Sequence, residues 1–342
     1  MTAAQDAADP AFERAYGALV GLAIGDALGM PTQSMPRERI RERYGRISDF
    51  VDGAADQPIA PGMAAASVTD DTDQAMIVAR LISDGSGSID AHAFAEQLIA
   101  WEQAMLERGS LDLLGPSTNA ALAKLQAGVS VEETGRSGTT NGAAMRIAPV
   151  GVAHPRGERL IDAVVEAGRV THNTGLGISA ACAIAAAVSA GVDGADTAGA
   201  LEAADAAARE GETRGHWVAG ASVPARFNAF RRYAKGLGTE DFESFLYEVV
   251  GTSVQSQESV VAALLLVERG AEFPFDALCT AASLGGDTDT VAAMAGAVLG
   301  AVHGAEAFPD AAVRRVLDIN GLDLATLARR LLAVRRSSTK MR

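Results

Sequence analysis

Ser283-Leu284-Gly285-Gly286-Asp287-Thr288-Asp289-Thr290 is the stretch on which the reading of the fold turns. Two aspartates stand two apart, behind a glycine pair and ahead of a threonine. The run that follows, 291–302, carries no charge and reads as a buried helix. Far upstream, Thr69-Asp70-Asp71-Thr72 repeats the same chemistry at the start of another apolar helix, 75–82. Hard oxygen donors offered by two distant segments point to one divalent-cation site assembled on folding. The glycines let the backbone bend, so that mutually repelling acids can converge on an ion. A plain helix N-terminus accounts for part of the upstream cluster, since Thr and Asp cap well and acids suit the positive dipole end. A cap needs one such residue, however, and every residue of 69–73 is Thr or Asp.

Composition bounds the class. Hydrophobic residues make up 48% of the 342, ample for a large core; aromatics are only 5% and alanine abounds, which favours close-packed helices over a sheet. A net charge of −14 without a Lys/Arg stripe argues against a nucleic-acid partner, because backbone binding needs a basic surface. Cys182 and Cys279 sit in apolar, Ala-rich surroundings and read as buried reduced thiols. The acidic segment 1–9 shows no signal peptide. The charge-free runs 176–192 and 291–302 fall short of the roughly 20 residues that span a bilayer. The expectation is a cytoplasmic protein with no membrane partner.

The chain divides into a flexible N-terminus (1–10), a single all-α domain (11–334) and a short flexible basic tail (335–342). Tyr16, Leu19, Val20 and Ala23 open with helical spacing. Asp26 then interrupts an apolar helix, either as a buried capping or hydrogen-bonding group or as an acid that stands behind a site or faces its substrate. Residues 37–43 are charged and read as surface. Phe94, Leu98, Trp101 and Met105 mark an amphipathic helix. Ser137-Gly138-Thr139-Thr140-Asn141-Gly142 offers free N–H groups and small side chains, suited to a phosphate or ribose, or else is an ordinary loop. His172, ahead of a long Ala-rich helix, is either structural or a binding group. Gly296 and Gly300, four apart on one helical face, permit close helix contact. No repeat or long linker interrupts the chain. Two acidic motifs so far apart must meet in space, so the site is built from loops at helix ends.

Taken together, 21–33, 69–74, 141–151, 171–173 and 283–290 resemble the ADP-ribosylglycohydrolase family (the dinitrogenase-reductase-activating and ADP-ribosylhydrolase group). Thr-Asp-Asp-Thr followed by Gly-Gly-Asp-Thr-Asp-Thr is the most specific part of the match. The resemblance implies an all-α orthogonal helical bundle with a binuclear Mg2+ centre, Mn2+ being the alternative metal. By resemblance the ligands are Thr69, Asp70, Asp71, Asp287, Asp289 and Thr290. Asn141, Gly142 and His172 are implied to bind ADP-ribose, with Gly285 and Gly286 approaching it closely and Asp26 and Gln33 beside it. Gln33 departs from the pattern, since many members carry an acid there that takes part in catalysis or in closing the site. A glutamine can donate and accept hydrogen bonds but cannot act as a base. Either Asp70, Asp71 or Asp287 is then the base, or the substrate differs, or the protein binds without hydrolysing.

Charge sets the metal count. At ~4 Å each pair of like charges costs about 4 kcal/mol at an effective dielectric of about 20. Two Mg2+ balance Asp70, Asp71, Asp287 and Asp289, and ligation by oxygen alone favours Mg2+ or Mn2+ over Zn2+. Two such ions roughly 3.5–4 Å apart orient a ribose diol and polarise a water. The expected function is metal-assisted hydrolysis of a ribosyl C1″ bond in an ADP-ribosylated side chain or small ADP-ribosyl compound. The alternatives are a nucleoside-like N-riboside as substrate and a non-catalytic metal- or ADP-ribose-binding protein.

Overall fold

Gly17, Gly21, Gly25 and Gly29 recur at every fourth position of the first helix, forming one stripe without side chains. That stripe is where the molecule is closed. The structure is a computed structural model that describes residues 9–340. Among them the chain forms eighteen α-helices and no strand. In order these are α1 (Pro10–Gly29), α2 (Arg37–Tyr44), α3 (Asp70–Asp84), α4 (Ala91–Glu107), α5 (Pro116–Gln126), α6 (Val131–Thr134), α7 (Gly142–Met145), α8 (Ala148–Ala153) and α9 (Glu158–His172). Then follow α10 (Gly175–Val192), α11 (Thr197–Gly211), α12 (Val223–Ala234), α13 (Thr239–Phe245), α14 (Ser256–Arg269), α15 (Pro274–Leu284), α16 (Thr288–His303), α17 (Asp310–Asn320) and α18 (Leu324–Lys340). The all-α expectation holds.

The α1 stripe packs antiparallel on α16. A Cβ built at Gly21 would stand 2.1 Å from the Gly296 carbonyl oxygen, and one at Gly300 would stand 2.0 Å from that of Gly17. Backbones this close leave no room for a methyl group, so glycine is required by contact. At the other end a Gly29 Cβ would lie 2.3 Å from the Asp289 backbone. The seam therefore delivers the start of α16 to the end of α1. The charge-free run expected to be a core helix is α10, 94% buried in the fold.

Three sequence expectations are corrected. The basic tail does not begin at Arg335: α18 continues to Lys340, and Arg335 is buried. Its guanidinium donates to the carbonyls of Gly151, Val152 and His154 at 3.1, 3.2 and 2.7 Å and to Asp193 Oδ1 at 2.5 Å. It thus satisfies carbonyls orphaned where α8 ends and the acid that follows α10. Arg37 is not a surface residue; it is buried against Glu243, at 3.0 Å, and Ser244. At the N-terminus, Asp9 caps α1 by accepting from Ala11 N–H, so Asp9 and Pro10 belong to the helix start. The remainder of the expected flexible segment, 1–8, and the last two residues, 341–342, lie outside the described residues.

Candidate metal and substrate site

Asp26 shows how the site is held. It is wholly buried on α1, and its carboxylate accepts from the backbone N–H and hydroxyl of Thr69 at 3.0 and 2.7 Å. It also accepts from the Thr72 N–H at 3.1 Å and from the Thr72 hydroxyl. These N–H groups belong to the first turn of α3, whose own N-cap residue Thr69 supplies no side-chain cap. Asp26 is therefore the cap of α3, provided from another helix. Burial pushes its carboxyl up to about 6, against the pull of the threonine bonds. The capping reading describes this placement, and so does that of an acid behind the site; Asp26 is not among the residues that line the cavity, as a substrate-facing acid would be.

That cavity, of about 290 Å3, opens where the N-terminal ends of α3, α7 and α16 meet. Gln33, Asp70, Asn141, Gly142, Asp287, Asp289 and Thr290 all line it, so the structure brings both acidic motifs to one place. Asp112, from the loop between α4 and α5, joins them. Asp71 and Thr69 lie beneath the lining, almost fully buried. Burial first, then the neighbouring carboxylates, pushes Asp70, Asp71, Asp112 and Asp289 well above the usual carboxylate range.

No three His, Cys, Asp or Glu side chains among the described residues stand in ready-made ligating geometry. The test of fit is therefore the donor set. Asp71 Oδ1, Asp112 Oδ2 and Asp289 Oδ1 are buried oxygens without a hydrogen-bond partner. Such orphans are costly unless a cation or proton satisfies them. Asp71 Oδ2 accepts from the Thr290 hydroxyl at 3.2 Å, and the Thr69 hydroxyl gives its proton to Asp26, leaving lone pairs free. All these donors are oxygens, which suits a hard divalent ion.

The loop expected to hold ribose is also fixed from behind. Asn141 donates its amide to Asp287 Oδ2 at 2.5 Å and to Ser259 Oγ at 2.9 Å, so it orients the acid. His172 is wholly buried, its ring between Thr140 Oγ1 at 2.9 Å and Thr171 Oγ1 at 2.8 Å. Burial and the nearby Arg146 hold it well below the usual histidine range, hence neutral. A Cβ on Gly142 would come within 2.9 Å of its ring, so His172 buttresses the loop and does not itself line the cavity. The expectation that it faces substrate is corrected.

Gly285 and Gly286 are corrected in the same way. They approach protein backbone, and neither lines the cavity. Both have positive φ, 95° and 82°, and a Cβ on Gly286 would lie 2.4 Å from the Thr252 carbonyl oxygen. Gly286 pairs with the segment just after Gln33, accepting from Ser34 N–H at 2.7 Å and donating to Met35 O at 3.0 Å. Gln33 itself is buried at the cavity wall with its Nε2 unpartnered, and its carbonyl accepts from Gln57 at 2.8 Å.

Asp112 escaped the sequence reading, and Arg146 and Gln74 lay within the motifs it quoted but were given no role. Arg146, fully buried over the Phe94 ring at 4.8 Å, donates to Gln74 Oε1 at 2.7 Å and Thr171 Oγ1 at 2.6 Å. Gln74 in turn donates to Asp70 Oδ2 at 2.6 Å. One guanidinium thus steadies Asp70 on one side and, through Thr171, His172 on the other. Burial pulls Arg146 down to about 9, opposed by Asp70, which leaves it charged at neutral pH. A lone charge inside an apolar run was the available signal, read for Asp26 and overlooked in Leu111-Asp112-Leu113 and Ala144-Met145-Arg146.

Comparison with known proteins bears on the family and the fold. A family model described as ADP-ribosylglycohydrolase matches residues 7–340. YegU of Escherichia coli (strain K12), described as uncharacterized, is 35% identical over 94% of this chain and 97% of its own. The ADP-ribosylarginine hydrolase Tri1 of Pseudomonas putida (strain GB-1) is 28% identical over 90% of this chain and 75% of its own. The ADP-ribosyl-[dinitrogen reductase] glycohydrolase of Rhodospirillum rubrum is 24% identical over 87% and 88%. A solved chain titled ADP-ribosylglycohydrolase-related protein complex has a TM-score of 0.67 at 24% identity, covering 95% of this chain and 98% of that one, and so shares the fold.

Proposed function

The chain belongs to the ADP-ribosylglycohydrolase family, and on that premise we propose that it is a divalent-metal-dependent hydrolase of a ribosyl C1″ glycosidic bond. The observation that carries the reading is the set of unpartnered buried carboxylate oxygens on Asp71, Asp112 and Asp289 around one cavity. Asp70, Asp71, Asp287 and Asp289, with the hydroxyls of Thr69 and Thr290, would hold two Mg2+, or Mn2+ in their place. When bound, the ions would supply Lewis-acid polarisation of the ribose diol and of water.

The rest falls to the chain's own residues. Asp70 and Asp287 face the cavity and are each held by one amide, from Gln74 and Asn141. Either carboxylate can take the proton of an attacking water, whereas Asp71, beneath the lining, is poorly placed to do so. The same carboxylates stabilise positive charge that develops at the anomeric carbon as the leaving group departs. Gln33 can hydrogen-bond a ribose hydroxyl but takes no proton. The relatives named for ADP-ribosylarginine and ADP-ribosyl-[dinitrogen reductase] point to an ADP-ribosyl group on a nitrogen, on a protein or on a small molecule. Cys182 and Cys279, free thiols pushed up to about 12 by burial, suit a reducing, cytoplasmic setting.

The test is release of ADP-ribose from ADP-ribosyl-arginine by the Mg2+-loaded protein, abolished by a chelator and restored by Mg2+. Asp287→Asn should lose at least a hundredfold in kcat. ADP-ribose that binds while no ADP-ribosyl compound is cleaved would instead establish the non-catalytic alternative.

A further inference from the structure

The cavity joins acids to an apolar wall, and among the described residues no cationic or aromatic side chain lines it. Asp70, Asp112, Asp287 and Asp289 supply its charge, and none of its lining residues is Lys, Arg, His, Phe, Tyr or Trp. The nearest buried guanidinium, Arg146, has no exposed surface and is bonded to Gln74 and Thr171 behind the lining. Arg37 is paired with Glu243. Lys124 stands outside the lining, with its ammonium 3.2 Å from Ser137 Oγ. Two Mg2+ would offset the acids, but a diphosphate brought into this space finds no counter-charge from a side chain, which leaves its desolvation poorly compensated. An adenine finds no ring to stack on.

What the wall does offer is aliphatic surface: Ile59, Leu111, Leu113, Leu114, Met145 and Val254. Leu111 is 56% exposed and Val254 36%, so two large apolar side chains stand open to solvent at this one cavity. Convergent polar groups at one end and an apolar wall at the other make a site for a small ligand with a hydroxylated end and a phosphate-free end. A volume of about 290 Å3 suits a nucleoside-sized molecule.

We propose a further activity for this site: hydrolysis of compact N-ribosides that lack the diphosphate, with the ribose at the carboxylates and a phosphate-free aglycone against the Leu111–Val254 wall. This rests on the ribosyl-hydrolase reading above and names its substrate class. Water forms a bond to the anomeric carbon as the C–N bond breaks. The bonding pair leaves on the aglycone nitrogen. The hydroxyl of the water stays on the sugar. Its proton, carried by Asp70 or Asp287, ends on the nitrogen of a nucleobase or guanidine aglycone, or passes to solvent when a pyridinium glycoside releases neutral nicotinamide, giving free ribose and the aglycone.

The experiment uses matched pairs that share one leaving group, with the Mg2+-loaded full chain: nicotinamide riboside against NAD, and ribosyl-arginine against ADP-ribosyl-arginine, each in both anomeric forms. A panel of purine and pyrimidine nucleosides is added. The expected result is cleavage of the riboside in at least one pair with kcat/KM at least tenfold above its ADP-ribosyl partner. Leu111→Asp should raise KM for that riboside at least fivefold and leave kcat within twofold. In direct binding, ADP-ribose should bind no more tightly than ribose, and Lys124→Ala should change neither. Cleavage of ADP-ribosyl compounds with ribosides at a tenth of their rate or less would overturn this inference while leaving the ribosyl-hydrolase reading intact. A tenfold loss of ADP-ribose affinity in Lys124→Ala would likewise overturn it, by revealing a phosphate subsite. If no compound in either set is cleaved, both readings fall.

Discussion

Two helices of this protein begin with the same kind of sequence, and they are held in place by different physics. α3 starts at Asp70 and α16 at Thr288, each behind a Thr- and Asp-rich approach to the cavity. α3 is fixed by hydrogen bonds: Asp26 reaches across from α1 and accepts from Thr69 and Thr72. α16 is fixed by contact: its backbone lies directly on the glycine stripe of the same helix α1. One helix therefore positions both halves of the site, by a polar tie at one place and by steric fit along its length. The polar tie is local and replaceable in degree; the steric fit is all-or-none.

The largest expected effect follows from the steric half. Gly21→Ala puts a methyl carbon about where a Cβ stands 2.1 Å from the Gly296 carbonyl, and both neighbours are backbone that cannot rotate away. Overpacking of a tight core costs about 1–3 kcal/mol even where side chains can yield. Here the variant should lose at least that upper figure, read as a fall in Tm of about 4 °C or more or as loss of soluble folded protein. A Tm within 2 °C of the parent would break the claim that contact fixes α16.

The polar half predicts a loss of comparable size with a specific signature. Asp26→Ala orphans the Thr69 and Thr72 N–H groups, at about 1–3 kcal/mol for each buried unsatisfied group. Asp26→Asn retains one acceptor oxygen and should recover about half of the lost Tm. Both variants should weaken Mg2+ binding, seen by calorimetry, because Asp70 and Asp71 open the helix that Asp26 caps. Undiminished Mg2+ affinity in Asp26→Ala would separate the cap from the metal half.

How much of this was legible beforehand follows the same division. The acidic motifs, the absence of strands and the close-contact glycines Gly296 and Gly300 could be read from residue type and spacing, because each is a property of one segment. The direction in which Asp26 points could not, since it depends on which helix crosses above it. His172 looked like a binding group because a polar loop at a helix start has that composition whether it faces a ligand or another loop, and Gly285 was taken to approach the ligand on the family resemblance alone. Arg335 was misread because a basic C-terminal run resembles a frayed end; its five carbonyl and carboxylate partners come from segments far away in sequence. Asp112 and Arg146 gave the same signal as Asp26, a lone charge in an apolar run, and it was the weighing that failed.

The metal half sharpens the comparison through pH. In the metal-free protein burial pushes Asp26 and Asp287 up to about 6, against about 3.9 for an unfolded aspartate. A raised folded value means the folded state holds protons more tightly, so the stability it contributes is present below pH ~4 and lost as pH rises through ~6. Metal-free protein should therefore lose Tm between those limits relative to Mg2+-loaded protein. At a hundredfold excess over its Kd, a ligand of the native state restores about 2.7 kcal/mol. Parallel Tm–pH curves with and without Mg2+ would show that the ion does not meet these carboxylates.

Gln33→Glu gives the smallest effect, and its sign depends on the metal. The side chain is buried at the cavity wall with Nε2 unpartnered, so a carboxylate there replaces an idle amide and breaks no bond it makes. Without metal, a further acid joins Asp70, Asp112, Asp287 and Asp289, and like charges at such spacing oppose folding by roughly 1 kcal/mol or more. The metal-free Tm should fall by a few degrees. With Mg2+ the added charge meets cations, so Tm should return to the parent value and Mg2+ affinity should rise severalfold. A loss confined to the metal-free state would place position 33 within the electrostatic reach of the ions. A loss of the same size in both would mean that Gln33 acts by shape, and that its amide, not the missing acid, is what this cavity requires.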